Sequence, residues 1–209
     1  MMRKFIVWFF IVPMMLLAGR AEVSAGKYNP VLKPGDQAPS FANLPGVDQK
    51  QHSISDYDKA KVKVLVFTCN SCLYAIDYED RLNAFHKKYC QAGRVALIAI
   101  NSNLVPADSM EKMKQRAEEK NFRFPYLLDQ TQQLAPKFGA LRTPEFYVLN
   151  SDNQIVYMGA FDDNTKSDQV KQKYVEQAVL AELAGNEIEI KETPPIGCLI
   201  RFKRSRRKK

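Results

Sequence analysis

The sequence predicts an α/β domain with a central mixed β-sheet flanked by helices and a short N-terminal β extension. Three observations predict it. Strand-like apolar runs alternate with helical patterns from Lys61 to Phe138, a late pair of strands follows across a four-residue turn, and a last helical stretch closes the order. Strand, helix, strand requires parallel crossovers, and the late pair requires an antiparallel edge.

Each element has a local reason. Residues 26–37 are rich in Pro, Gly and Lys and should run extended over the surface. Phe41 to Leu44 and Gln51 to Ile54 flank a turn over Pro45 to Lys50, which reads as two short strands. Lys61 to Phe67 is a β-branched apolar run, hence a core strand. From Ser71 to Tyr89, Tyr74, Tyr78, Leu82 and Phe85 recur at spacings of three and four, a helix that Gly93 should stop. Arg94 to Ile100 is a second buried strand. A charged helix over Asp108 to Lys120, a strand over Phe124 to Leu128 and a short helix over Thr131 to Phe138, ended by Gly139, follow. Glu145 to Leu149 and Ile155 to Ala160 form a hairpin, and Asp168 to Leu183 a closing helix.

The ends differ from this body. Met1 to Lys4 is basic, Phe5 to Ala18 is apolar, and small residues follow, the pattern of a secretory signal peptide cleaved after Ala21 or Ala25; the run is shorter than the roughly 20 residues a membrane span needs. An uncleaved anchor is the alternative. The chain carries a net charge of +8, of which residues 1–25 hold +2 and the tail, 201–209, holds +7, leaving −1 for the body. A near-neutral body lacks the basic face expected of a nucleic-acid-binding domain. The tail reads as a disordered, solvated end, or as one attracted to anionic lipid headgroups outside the cytoplasm. The organisation predicted is therefore a signal peptide over 1–25, an extended segment over 26–37, one domain over 38–200 and a basic tail over 201–209.

Chemistry concentrates at Cys69-Asn70-Ser71-Cys72, which follows the first core strand and opens the first helix. Residues at i and i+3 of a helical turn lie roughly 5 to 6 Å apart, close enough for two sulfurs to join and part. A helix N-terminus stabilises a thiolate, which makes Cys69 the expected attacking sulfur.

The order of Cys69-Asn70-Ser71-Cys72, Thr143-Pro144 before a hairpin, and the closing helix resembles the thioredoxin-like superfamily over roughly Lys33 to Gly185. The opening Pro34-Gly35-Asp36-Gln37-Ala38-Pro39-Ser40-Phe41 and the extra helix around Met110 to Lys120 resemble its peroxiredoxin-like branch, the redoxins of the alkyl hydroperoxide reductase and thiol-specific antioxidant type. The resemblance implies a thioredoxin-like fold, a redox-active disulfide between Cys69 and Cys72, no bound cofactor, and a cis Pro144. It also implies that the Thr143 backbone pairs with a substrate protein while Pro144 shapes the groove. The implied protein is an exported thiol-disulfide oxidoreductase, periplasmic or extracellular, that exchanges disulfides with partner proteins and draws electrons from a partner thiol protein. Thr68 and Ser71 depart from the Trp and Pro common beside such cysteines. Lys63 and Ala75 occupy positions where relatives carry a buried acid, and Glu79 and His86 lie too far along the helix to replace it, so the proton acceptor for Cys72 is left unassigned.

Two rival chemistries use the same residues. A thiol peroxidase would place Thr or Ser three residues before its cysteine and Pro four residues earlier, and counting back from Cys72 gives Cys69 and Leu65. A copper- or zinc-binding module would use both thiolates, but Cys90, Cys198, His52 and His86 are scattered. Cys90 near a helix end, and Cys198 in line with Ile196, Ile200 and Phe202, read as buried thiols. A Cys90–Cys198 disulfide is the pairing that would leave Cys69 and Cys72 free to react.

Overall fold

The computed structural model describes residues 25–203; the expected leader through Ser24 and residues 204–209 of the tail lie outside them. Its elements are β1 (Leu44–Pro45), β2 (Gln51–His52), β3 (Val62–Phe67), α1 (Leu73–Tyr89), β4 (Val95–Asn101), α2 (Met110–Glu119), β5 (Tyr126–Leu128), α3 (Leu134–Phe138), β6 (Arg142–Thr143), β7 (Glu145–Leu149), β8 (Ile155–Gly159), α4 (Tyr174–Ala184) and β9 (Cys198–Leu199).

Five strands form the central sheet in the order β5-β4-β3-β7-β8. β3 runs parallel to β4 and β4 to β5, while β3–β7 and β7–β8 are antiparallel. This is the mixed sheet expected from the sequence. β3 is buried along its whole length because both of its faces are covered, which is why it reads as an uninterrupted apolar run. One face packs Val64, Val66, Leu97, Phe146 and Val148 against Leu82 and Phe85 of α1 and Val175 and Val179 of α4. The other packs Leu65, Phe67, Ile98, Ile100 and Tyr147 against Leu134 and Phe138 of α3 and Phe41 of the N-terminal segment. Phe138 sits 5.4 Å from the Phe67 ring and 5.0 Å from Tyr147, so truncating it to alanine would cost about 3–5 kcal/mol.

The structure moves several boundaries. The first helix begins at Leu73 with Cys72 as its N-cap, not at Ser71, so Cys69 lies in the loop ahead of it. β5 is three residues, beginning just after Pro125, which has no N–H to give a ladder. The last helix starts at Tyr174 rather than Asp168, because Asp163 accepts from Lys171 N and itself donates to the Gln172 carbonyl, holding that stretch in a loop. The expected β extension is present as the antiparallel pair β1–β2.

The N-terminal segment is tied to the far end of the chain. The backbone N–H groups of Lys27, Tyr28 and Asn29 all donate to the Glu192 carboxylate, at 2.8, 2.6 and 3.2 Å. Among the described residues no helix is long and apolar enough to cross a membrane.

Candidate active site

β3 ends at Phe67 in the middle of the sheet, and the chain leaves its carboxyl end as Thr68 to Ser71 before α1 begins. That places Cys69 and Cys72 at the sheet's top edge, both nearly enclosed at 3% and 1% exposure. β7, the antiparallel neighbour of β3, starts opposite: Glu145 registers with Phe67. The residues just before β7, Thr143 and Pro144, therefore arrive beside the sulfurs, and the bond between them is cis, as the resemblance implied. The Thr143 hydroxyl lies 3.4 Å from Cys69 Sγ, and Cys72 Sγ lies 2.9 Å from the Thr143 carbonyl oxygen.

Two buried carboxylates brace this arrangement. Asp108, in the turn Pro106–Asp108 ahead of α2, accepts from the Ser71 N–H at 2.9 Å and from the Ser71 hydroxyl at 2.6 Å. Ser71 Oγ in turn stands 3.7 Å from Cys69 Sγ. Tyr126 donates to Asn70 Oδ1 at 3.0 Å, and Asn70 donates to the Ala107 carbonyl at 3.1 Å, so every residue between the cysteines is held from this side. Glu145 accepts from the N–H groups of Leu141 and Arg142 and from the Tyr147 hydroxyl, which fixes the turn leading to Thr143. Burial raises the Glu145 pKa above the ordinary carboxylate range.

The two sulfurs shift each other's titration in opposite directions. A hydrogen bond from Cys69 pulls the Cys72 pKa down to about 4, against the penalty of burial and with help from Cys198, Thr143 and the Ala75 amide at the start of α1. Cys69 is pushed up, first by that same hydrogen bond, then by burial and by the Asp108 carboxylate. The contact of Cys72 Sγ with the Thr143 carbonyl favours a protonated Cys72, since a thiolate and a carbonyl oxygen repel. Several donors against one acceptor decide the direction. The helix N-terminus thus serves Cys72, whereas the sequence assigned it to Cys69.

Comparison with known proteins agrees with this geometry. The model of the AhpC/TSA family matches residues 34–158. The chain belongs to that family. A crystal structure of an uncharacterized conserved protein from Geobacillus kaustophilus is 35% identical, with a TM-score of 0.78 over 85% of this chain and 96% of that one. A hypothetical protein, SMc02350, from Sinorhizobium meliloti 1021 is 26% identical, also with a TM-score of 0.78, over 85% and 98%. A structure described as a thiol:disulfide interchange protein DsbE from Chlorobium tepidum is 22% identical with a TM-score of 0.60 over 73% and 99%, a likeness of fold. No curated protein matches the chain. The fold is thioredoxin-like, of the redoxin type.

The structure brings Cys69, Cys72, Thr143 and Pro144 together as expected, and adds a residue the sequence did not single out. That residue is Asp108; its position 36 residues beyond Cys72 carries no local pattern. Cys198 is placed otherwise than expected. It packs against Cys69, Cys72 and Ala75, while Cys90 packs into the core at the other end of α1. The Cys90–Cys198 pairing is therefore corrected: α1 has 17 residues, and at about 1.5 Å per residue its ends are roughly 25 Å apart. Nor does Cys198 share a buried strand face with Ile196 and Phe202, both of which are exposed. Glu79 is engaged by Arg116 at 2.7 and 2.8 Å and takes no part at the sulfurs. His52 sits 3.0 Å from Asp48, away from the sulfurs on the β1–β2 pair. Among the described residues no group of three or more His, Cys, Asp or Glu side chains is arranged to hold a metal ion.

Proposed function

We propose that the protein is an exported thiol-disulfide oxidoreductase in which Cys69 and Cys72 alternate between dithiol and disulfide. The observation that supports this most is the convergence of both sulfurs on the Thr143-Pro144 turn. When Cys72 holds its proton, donated toward the Thr143 carbonyl, Cys69 carries the negative charge beside the Thr143 hydroxyl. Cys69 then attacks a sulfur of the substrate disulfide, a new S–S bond forms, and the other substrate sulfur leaves with the bonding pair. Cys72 gives its proton to that departing thiolate, a transfer its lowered pKa favours, and the Cys72 thiolate then attacks Cys69 Sγ, breaking the mixed disulfide and releasing the second substrate sulfur as a thiolate. The departing substrate thiolate is thereby the proton acceptor for Cys72 that the sequence left unassigned.

A partner thiol protein would return the Cys69–Cys72 disulfide to dithiol, and no bound cofactor enters the cycle. The same low pKa makes Cys72 the better leaving group, so a partner thiolate should attack Cys69. Pro144 would shape the groove and Thr143 would receive the substrate backbone. Exposed Leu73, at 75%, and Leu141, at 47%, offer apolar contact for a protein substrate near this turn. Cleavage after Ala21 or Ala25 would deliver the domain to an oxidising compartment, where the basic tail would meet anionic surfaces.

Trapping tests the reading. Cys72→Ser should accumulate a mixed disulfide with a protein substrate, Cys69→Ser should accumulate none, and equal trapping by both would reverse the roles. A peroxidase reading has the family match and the lowered Cys72 thiol in its favour. Hydroperoxide consumption that survives Cys69→Ser would select it.

A further inference from the structure

The backbone edge at Thr143 is already occupied. β9 lies antiparallel to β6, with Thr143 registered to Cys198 and Arg142 to Leu199. The pairing continues in the Ile200 N–H, which donates to the Leu141 carbonyl at 2.9 Å, and Arg142 Nη1 donates to the Gly197 carbonyl at 2.7 Å. Beyond the strand, Arg201 N donates to Asn103 Oδ1 at 2.7 Å, while Gln132 donates to the Arg201 carbonyl at 2.9 Å and accepts from Lys203 N at 2.9 Å. A side chain at position 197 would collide with the Thr143 carbonyl oxygen, so the glycine is what lets the two backbones come this close. The segment lies where the proposed substrate strand would lie, and it presents a cysteine there.

We propose that Cys198 is a third exchanging thiol, an internal counterpart of the substrate that β9 delivers to Cys72. The proposal rests on the exchange chemistry of the Cys69–Cys72 couple. In the oxidised chain, the Cys198 thiolate attacks Cys72 Sγ; the Cys72–Cys198 bond forms, the Cys69–Cys72 bond breaks, and its electron pair leaves with Cys69, which takes up the proton that Cys198 gave. One thiol and one disulfide become one thiol and one disulfide, the thiol passing from Cys198 to Cys69, so no outside oxidant or reductant is consumed. Cys72 interacts with both Cys69 on the loop and Cys198 on the strand, within the one cluster the three sulfurs form, and it is common to both disulfides. The outcome is a chain with Cys69 free while its oxidising equivalents are stored against β9. The exchange runs back when the Cys69 thiolate attacks Cys72 Sγ: the Cys69–Cys72 bond re-forms, the Cys72–Cys198 bond breaks, Cys198 leaves with the electron pair and takes up the proton that Cys69 gave, and an arriving substrate strand can then displace the released β9 from Thr143.

Diamide oxidation of Cys69→Ser, followed by alkylation and non-reducing peptide mass mapping, tests this. Cys72 and Cys198 should both lose alkylation and appear linked within one chain, while Cys90 stays alkylated. Full alkylation of Cys72 and Cys198 after oxidation, or linkage of Cys72 to Cys90 or to a second chain, would overturn the proposal. Adding Gly197→Ala should reduce the linked yield by pushing β9 from Thr143; an unchanged yield would overturn its delivery by the strand. If Cys69→Ser folds poorly, the oxidised unsubstituted chain gives the answer: Cys69 alkylated and Cys198 protected in a share of chains supports the exchange, and Cys198 alkylated in every chain overturns it. Cys198→Ser with Cys69 intact should still close the Cys69–Cys72 disulfide. Failure there sinks the couple itself, and the Cys72–Cys198 linkage in Cys69→Ser is then read independently.

Discussion

The two ends of α1 each carry a cysteine, and they could hardly be treated more differently. At the N-terminus Cys72 meets the helix's unpaired amides, two further thiols and the Thr143 turn, and its pKa falls to about 4. At the C-terminus Cys90 packs against the core, and burial pushes its thiol up to about 12. The helix does not distinguish them by residue type. What differs is the supply of donors: the Cys69, Cys198 and Thr143 side chains and then the Ala75 amide at one end, a buried apolar wall at the other. Reactivity in this molecule follows what surrounds each end of one helix.

The comparison predicts its own tests. Replacing Cys69 or Cys72 by serine should lower reduction of a protein disulfide such as insulin to the buffer background, and Cys90→Ser should leave it unchanged; loss of activity in Cys90→Ser would break the contrast. A stability profile comes next. Because the folded pKa of Cys72 lies below the ordinary thiol value of about 8.5, reduced protein should gain stability as pH rises from about 4 to 8.5 and lose it as pH falls through 4. Cys90, raised by burial, works in reverse: its contribution is complete below about 8.5 and is lost as pH climbs toward 12. Melting curves of reduced and oxidised chains across pH should show the lower slope only in the reduced form. Asp108→Asn should cost about 1–3 kcal/mol, by weakening the hold on Ser71, and should lower the pH at which Cys69 becomes alkylated, since the carboxylate pushes that thiol up. An upward shift would contradict the assigned electrostatics. Smallest, Cys90→Ser should shift stability by about 1 kcal/mol in chemical denaturation.

What could be read ahead of the structure follows the range of each interaction. β3 to β4 and the β7–β8 hairpin announce themselves because burial on one or both faces writes a pattern several residues long. Cys69, Cys72 and Thr143-Pro144 were legible because the motif order resembles a family. Asp108 was not, since it acts from a three-residue turn that looks like the start of α2. Cys198 was misread for a related reason: β9 is two residues long, too short for any alternation, and its partner β6 is equally short. Sequence could count four cysteines but could not rank their distances. The start of α4 failed on a single carboxylate, Asp163, that competes for backbone donors. Each miss is a side-chain-to-backbone or strand-edge contact made across more than a few residues.

The carboxylate of Glu192 has one last implication. By gathering three successive amides of Lys27 to Asn29, it fastens the beginning of the folded chain to the stretch that runs on into Gly197 and Cys198. Anyone trimming the polypeptide to start at Pro30 would cut that knot, and the slack would be felt not at the amino end but at the sulfur cluster. Expression tags belong ahead of Gly26.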